Sequence, residues 1–168
     1  MKGKILIVDD DANMREGVCD ILEIEGYETA SAAGAAEAVA QVKKTQFDVI
    51  LMDYNLTDGT GIDAIRKIRE LNTESQILMI TAHASVENAV RAMKMCAFDY
   101  ASKPFDLEEL AVKVAKALET RVLRREVTQI RRERRSRWGF DSIVGKSDAI
   151  RQILAVARTV ADSPSSTV

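Results

Sequence analysis

Cysteine, histidine and aromatic residues are scarce in this chain, and long apolar runs are missing. Its 168 residues include two cysteines, one histidine and one tryptophan, and only 5% are aromatic. Cys19 and Cys96 each sit inside a helical pattern without metal-ligand spacing, which excludes a thiolate metal site and points to reduced thiols in a cytoplasmic protein. The lone His83 falls in a predicted loop, where an imidazole is more simply a solvent-facing side chain than a catalyst. No segment approaches the ~18 apolar residues that would span a bilayer. The short apolar run at the N-terminus passes at once into acids, unlike a signal peptide. The expectation is a cytoplasmic protein with no membrane partner.

What is present is charge, and it is segregated. Residues 1–120 hold 13 Lys and Arg against 21 Asp and Glu, net −8. Residues 121–137 hold eight arginines against Glu126 and Glu133, net +6, and residues 138–168 balance at three of each sign. A single domain rarely sorts its charges this way, so the chain divides into an acidic domain (1–120), a basic connector (121–138) and a new start (139–168).

Within the acidic domain, short apolar runs alternate with helical patterns. Strands are predicted at KILIV (4–8), YETA (27–30), FDVILM (47–52), QILMIT (76–81) and FDYAS (98–102), and helices near 13–25, 34–44, 61–71 and 85–95. Met14, Val18, Ile21 and Leu22 recur at helical spacing, as do Val86, Ala89, Val90 and Met93. Ser85 is the predicted N-cap of the fourth helix, and Met93 and Met95 read as packing rather than a cofactor site. A fifth helix begins near Asp106 and should lay Leu107, Leu110, Ala111 and Val114 on the sheet. Alternating strands and helices imply an α/β fold with a parallel sheet covered on both faces.

In such sheets, ligands bind at the carboxyl ends of the strands. After the first strand come Asp9 and Asp10; the third ends at Asp53, the fourth at Thr81, and the fifth runs into Lys103 and Pro104. Asp11, nearest the first helix, is expected to cap it. Two like charges ~4 Å apart repel by about 4 kcal/mol at an effective dielectric near 20. Asp9, Asp10 and Asp53 therefore make little sense together without a cation, and a hard oxygen cup with few protein ligands suits Mg²⁺. Such a cup, with an ammonium and a hydroxyl beside it, suits phosphoryl transfer, and Asp53 is the candidate nucleophile.

The stretches ILIVDDD, VILMDYNLTDGTG, MITA and FDYASKPF, in this order, resemble the receiver domain of two-component response regulators over residues 1 to about 120. The resemblance implies a flavodoxin-like fold, a five-stranded parallel sheet of order 2-1-3-4-5 flanked by five helices. It implies that Asp53 accepts a phosphoryl group from a sensor histidine kinase, with Asp9, Asp10, Asp53 and the Asn55 main-chain carbonyl holding Mg²⁺. Thr81 and Lys103 would contact the phosphoryl group, Lys103-Pro104 would be a cis bond, and Tyr100 would be the switch aromatic. Thr57 and Cys96 stand where the family often has Pro and Gly. A haloacid-dehalogenase-type phosphatase would need a second Asp two residues after the nucleophile, where Asn55 stands.

Past residue 118 the fifth helix continues through Leu118, Val122, Leu123, Val127 and Ile130, an apolar stripe that reads as a dimerising helical linker. The arginine run 131–137 has no interleaved aromatic before Trp138, so a solvated linker face is the simpler reading than a nucleic-acid patch. Gly145-Lys146-Ser147 is not a phosphate loop: five residues separate Gly139 from Gly145, where that motif has four. FDSIVGKSDAIRQIL instead resembles the opening of the AAA+ ATPase domain of NtrC-type, sigma-54-dependent activators. There Ile143, Val144 and Gly145 would lie beside the adenine of a complete ATPase domain. The expectation is a regulatory piece without ATPase activity of its own, a homodimer through receiver and linker. Sigma-54 RNA polymerase and promoter DNA would be engaged only through parts outside this chain. A receiver that never takes up phosphate and serves only as a binding module is the alternative.

Overall fold

Alternate residues of each central strand face opposite ways, and here both sets are apolar. That pattern calls for two cores with one sheet between them. The computed structural model, which describes residues 2–71, 74–82 and 97–138, has this arrangement. The elements run β1 (Lys4–Val8), α1 (Ala12–Ile24), β2 (Glu28–Ala32), α2 (Ala35–Lys44), β3 (Val49–Asp53), the two-residue strands β4 (Asn55–Leu56) and β5 (Gly59–Thr60), and α3 (Gly61–Leu71). They continue with β6 (Gln76–Thr81), β7 (Asp99–Ser102) and α4 (Leu107–Trp138). The sheet order is β2-β1-β3-β6-β7, every pair parallel. Leaving aside the antiparallel β4–β5 pair, this is the 2-1-3-4-5 order of the receiver fold.

Leu6, Val8, Ile50, Met52, Ile77 and Met79 pack on one face with Val42 of α2 and Ile65 and Ile68 of α3. Ile5, Ile7, Val49, Leu51, Leu78 and Ile80 face the other way, onto Val18 and Leu22 of α1 and Leu110, Val114 and Ala117 of α4. Each of these Val, Leu, Ile and Met side chains, once buried, contributes about 1.5–3 kcal/mol. Together they make the sheet a rigid platform.

Local signals set the joints. The Asp11 side chain accepts from the amides of Asn13 and Met14 and so caps α1 as expected. Gly26, at φ +86°, ends the same helix, its amide donating to the carbonyl of Glu23. The second strand starts one residue later than predicted and reaches Ala32, because edge strand β2 carries polar residues that hide its end. The predicted fourth helix, with Ser85, Met93, Met95 and Cys96, lies outside the described residues, as does His83.

Residues 1–123 form one compact unit and residues 124–168 a second. Within the first, Arg121 is buried on the inner side of α4. Its guanidinium pairs with the Asp48 carboxylate, and its Nε donates to the Glu74 carbonyl at 3.2 Å. Val122 and Leu123, just beyond, are exposed. Of the second unit, the described residues 124–138 are helical, and Val127 and Ile130 are exposed there.

Candidate functional site

The carboxyl ends of β1, β3 and β6 meet in register. Val8 pairs with Met52 and Asp53 with Ile80, so Asp9, Asp53 and Thr81 leave the sheet side by side. One carboxylate oxygen from each of Asp9, Asp10 and Asp53 lies within 4.8 Å of the others. Asp9 and Asp53 are buried, whereas Asp10 is exposed and opens the cluster to water. Lys103 reaches in from the loop after β7, its Nζ 2.6 Å from Asp9 Oδ2 and 3.4 Å from Asp53 Oδ1. The Lys103-Pro104 bond is cis, and the Lys103 amide donates to the Thr81 carbonyl at 2.7 Å. Thr81 itself is buried.

The electrostatics follow from burial against pairing. Burial pushes the Asp53 carboxyl from its ordinary 3.8 to about 6; Lys103 opposes the shift and the neighbouring Asp9 adds to it. Burial acts to lower the Lys103 ammonium, but its hydrogen bond to Asp9 and the attraction of Asp53 and Asp9 outweigh that and hold it above its usual value. Asp9 is fixed on both sides: its Oδ1 accepts the Asp11 amide at 3.0 Å, and its main-chain carbonyl accepts Arg15 NH1 at 2.7 Å.

A divalent cation fits this donor set. Three carboxylates cluster while one ammonium pairs with two of them, and even with the Arg15 guanidinium at the Asp9 carbonyl an excess of negative charge remains. All the donors are hard oxygens, with one face open for water, which suits Mg²⁺ better than softer metals.

Asn55 and Tyr100, the other described residues of the expected site, lie just after β3 and on β7. Asn55 opens β4, exposed and opposite Thr60. Tyr100 sits on edge strand β7 beside Met79 and is 37% exposed; its neighbour Ala101 faces the α1–α4 core, so the Tyr100 side chain lies on the other face of the sheet. Ile143, Val144 and Gly145 lie outside the described residues.

Two supporting residues escaped the sequence reading. Gly61, the first residue of α3, packs so tightly that a Cβ there would lie 2.1 Å from the Asp53 carbonyl oxygen, and its amide donates to the Tyr54 carbonyl at 2.8 Å. A glycine opening an amphipathic helix just after the candidate nucleophile was the available signal. Asp58 reaches across the fold to the amides of Ala35 and Ala36 at 2.8 and 2.9 Å, and those two bonds hold its carboxyl below the usual range. No local pattern announces a partner 22 or 23 residues away.

Residues 5–115 match the family model described as "Response regulator receiver domain". The chain is 33% identical over 163 residues to the regulatory protein AtoC of Escherichia coli K12, covering 97% of this chain and 35% of AtoC. It is 35% identical over 160 residues to the transcriptional regulatory protein ZraR of E. coli O157:H7, covering 95% of this chain and 35% of ZraR. Among solved structures, that of NtrX from Brucella abortus in complex with ADP superposes with a TM-score of 0.74 at 32% identity, over 97% of this chain and 35% of NtrX. The chain thus spans about a third of the length of the curated relatives it matches. With its parallel sheet, its cluster of acids at the strand ends and a family match over most of its length, the chain belongs to the response regulator receiver domain family.

Proposed function

We propose that Asp53 is the phosphoryl acceptor of a two-component relay, with a sensor histidine kinase as donor. The convergence of Asp9, Asp10 and Asp53 beside Lys103 is the observation that carries this reading. An Asp53 carboxylate oxygen attacks phosphorus, the P–N bond to the donor imidazole breaks, and its electron pair returns to the imidazole, which takes up a proton. Asp9, Asp10, Asp53 and the main-chain carbonyl of Asn55 would hold Mg²⁺, which supplies positive charge against the phosphoryl oxygens. Lys103 adds a second cation, and the Thr81 hydroxyl would donate to a phosphoryl oxygen. Asp53 keeps its charge at neutral pH despite burial because Lys103 stands beside it.

Phosphorylation would then shift the balance between two arrangements of the face carrying Thr81 and Tyr100. The apolar, exposed residues Val122, Leu123, Val127 and Ile130 support a helical linker that pairs two copies of the chain. Residues 139–168 would open an AAA+ domain, and the whole protein would control sigma-54-dependent transcription. The likeness to ZraR and NtrX over nearly the full chain supports that assignment.

The test is labelling by a small phosphodonor with Mg²⁺. Asp53→Asn is expected to abolish it, and undiminished labelling of that variant would reject Asp53 as acceptor.

A further inference from the structure

The loop between β3 and α3 carries Asn55 and turns back on itself through β4 and β5, a ladder of two residue pairs. Leu56 is buried, but Asn55 and residues 57–60 are exposed. At the turn, Asp58 leaves the loop altogether and bonds the first two amides of α2. The N-cap of α2 is Gly34, which has no side chain to offer those amides. A Cβ at Gly34 would stand 2.6 Å from the Asp58 carboxylate, so the glycine leaves the space that the carboxylate fills.

A serine or aspartate at position 34 would satisfy the same helix end locally. Gly34 adopts φ −165°, extended backbone that any residue accepts. A distant cap therefore does something that a local one would not: it ties down the loop as well as the helix.

We propose that Asp58 is a positioning residue for the magnesium site, fixing the 55–60 loop against α2 and with it the Asn55 carbonyl. This rests on the proposed function, which assigns that carbonyl to the metal. The Asp58 carboxylate touches neither acceptor nor metal in this scheme. It acts through the loop, as groups behind metal ligands do when they set ligand orientation.

The experiment separates tether from cap. Mg²⁺ binding to the 168-residue chain is measured by calorimetry, and exchange of the Ala35 and Ala36 amides by NMR. Asp58→Ala is expected to weaken Mg²⁺ binding about tenfold, the low end for groups that orient metal ligands, and to speed exchange at both amides. Gly34→Ser added to Asp58→Ala should restore amide protection and melting temperature through a local cap, while Mg²⁺ binding stays weak. Wild-type affinity in Asp58→Ala, or affinity that returns with the local cap, overturns the proposal. If the unaltered chain binds no Mg²⁺, the proposal and the metal assignment fall together; labelling of Asp53 then reports separately on the acceptor.

Discussion

The Lys103 ammonium lies closer to Asp9, at 2.6 Å, than to Asp53, at 3.4 Å. Its tightest partner is therefore the acid beside the candidate acceptor. One cation shared by two buried carboxylates leaves each of them partly uncompensated, and this sets how the site should respond to substitution, pH and magnesium.

Lys103→Met removes the only ammonium that the described residues bring to the cluster. Asp9 is then buried beside Asp53 without its ion partner. Breaking a buried pair from one side costs about 3–5 kcal/mol. With a chelator present, urea denaturation should show a loss near the low end of that range, since Lys103 itself is 19% exposed. Added Mg²⁺ should recover part of the loss, while labelling of Asp53 should still fall by about 10²-fold, as for loss of one preorganised charge-stabilising group. A variant that labels at the wild-type rate would show that the ammonium does not face the phosphoryl group.

Burial makes the Asp53 carboxyl a weaker acid, which gives stability a definite direction with pH. A carboxyl whose folded value, about 6, exceeds its ordinary 3.8 binds more protons folded than unfolded between those pH values. Stability from this group therefore falls as pH rises from about 4 to 6, and the whole cost, about 3 kcal/mol at 1.36 kcal/mol per unit, is present above pH 6. Other carboxyls pull the opposite way, Asp58 among them, since its amide bonds favour the charged form. The informative quantity is thus the difference between wild type and Asp53→Asn in a chelator. The variant should be the more stable above pH 6, and the gap should close toward pH 4. Saturating Mg²⁺ should shrink it from the other side. A gap that stays flat with pH would mean that burial does not govern the Asp53 carboxyl.

Much of this was legible in the sequence because strand ends are legible. Asp9, Asp10, Asp53, Thr81 and Lys103 each follow an apolar run, and a parallel sheet brings the ends of such runs to one edge. Asp11 was legible for a similar reason, as the last polar residue before a helical pattern. Asp58 was not: an Asp before Gly reads as turn chemistry, and its partners are fixed by packing α2 beside the loop. The β4–β5 pair was invisible because two-residue strands have no periodicity. Arg121 belonged by composition to the basic connector, yet it is buried against Asp48 and Glu74. Net charge over a segment does not reveal which of its arginines faces inward.

Gly61→Ala tests the close approach behind the candidate acceptor. The added methyl would lie 2.1 Å from the Asp53 carbonyl, and that neighbour is main chain in a central strand. Overpacking of this kind costs about 1–3 kcal/mol. Because the strain falls on Asp53, labelling should slow even at temperatures where the variant is folded. Normal stability and normal labelling together would show that α3 shifts away freely.

At Arg121, α4 is fastened to the strand starts through the Asp48 carboxylate. Asp48 accepts the Lys4 amide at 2.6 Å with one oxygen and the Arg121 guanidinium with the other, while its own carbonyl accepts the Gln76 amide at 3.0 Å. Four elements are thus fastened at one point, because Lys4 opens β1, Gln76 opens β6, Asp48 precedes β3 and Arg121 lies on α4. Arg121→Ala should cost about 3 kcal/mol or more in urea denaturation, since it strands a partly buried carboxylate and leaves a hole beside it. Adding Asp48→Asn removes the stranded charge and keeps an acceptor for the Lys4 amide, so the double variant should be more stable than Arg121→Ala alone. Because the guanidinium is buried, the coupling should persist at 0.5 M salt, where an exposed pair would be screened. Simple addition of the two single losses would mean that the pair is not an interacting unit and that Asp48 does not help to hold α4.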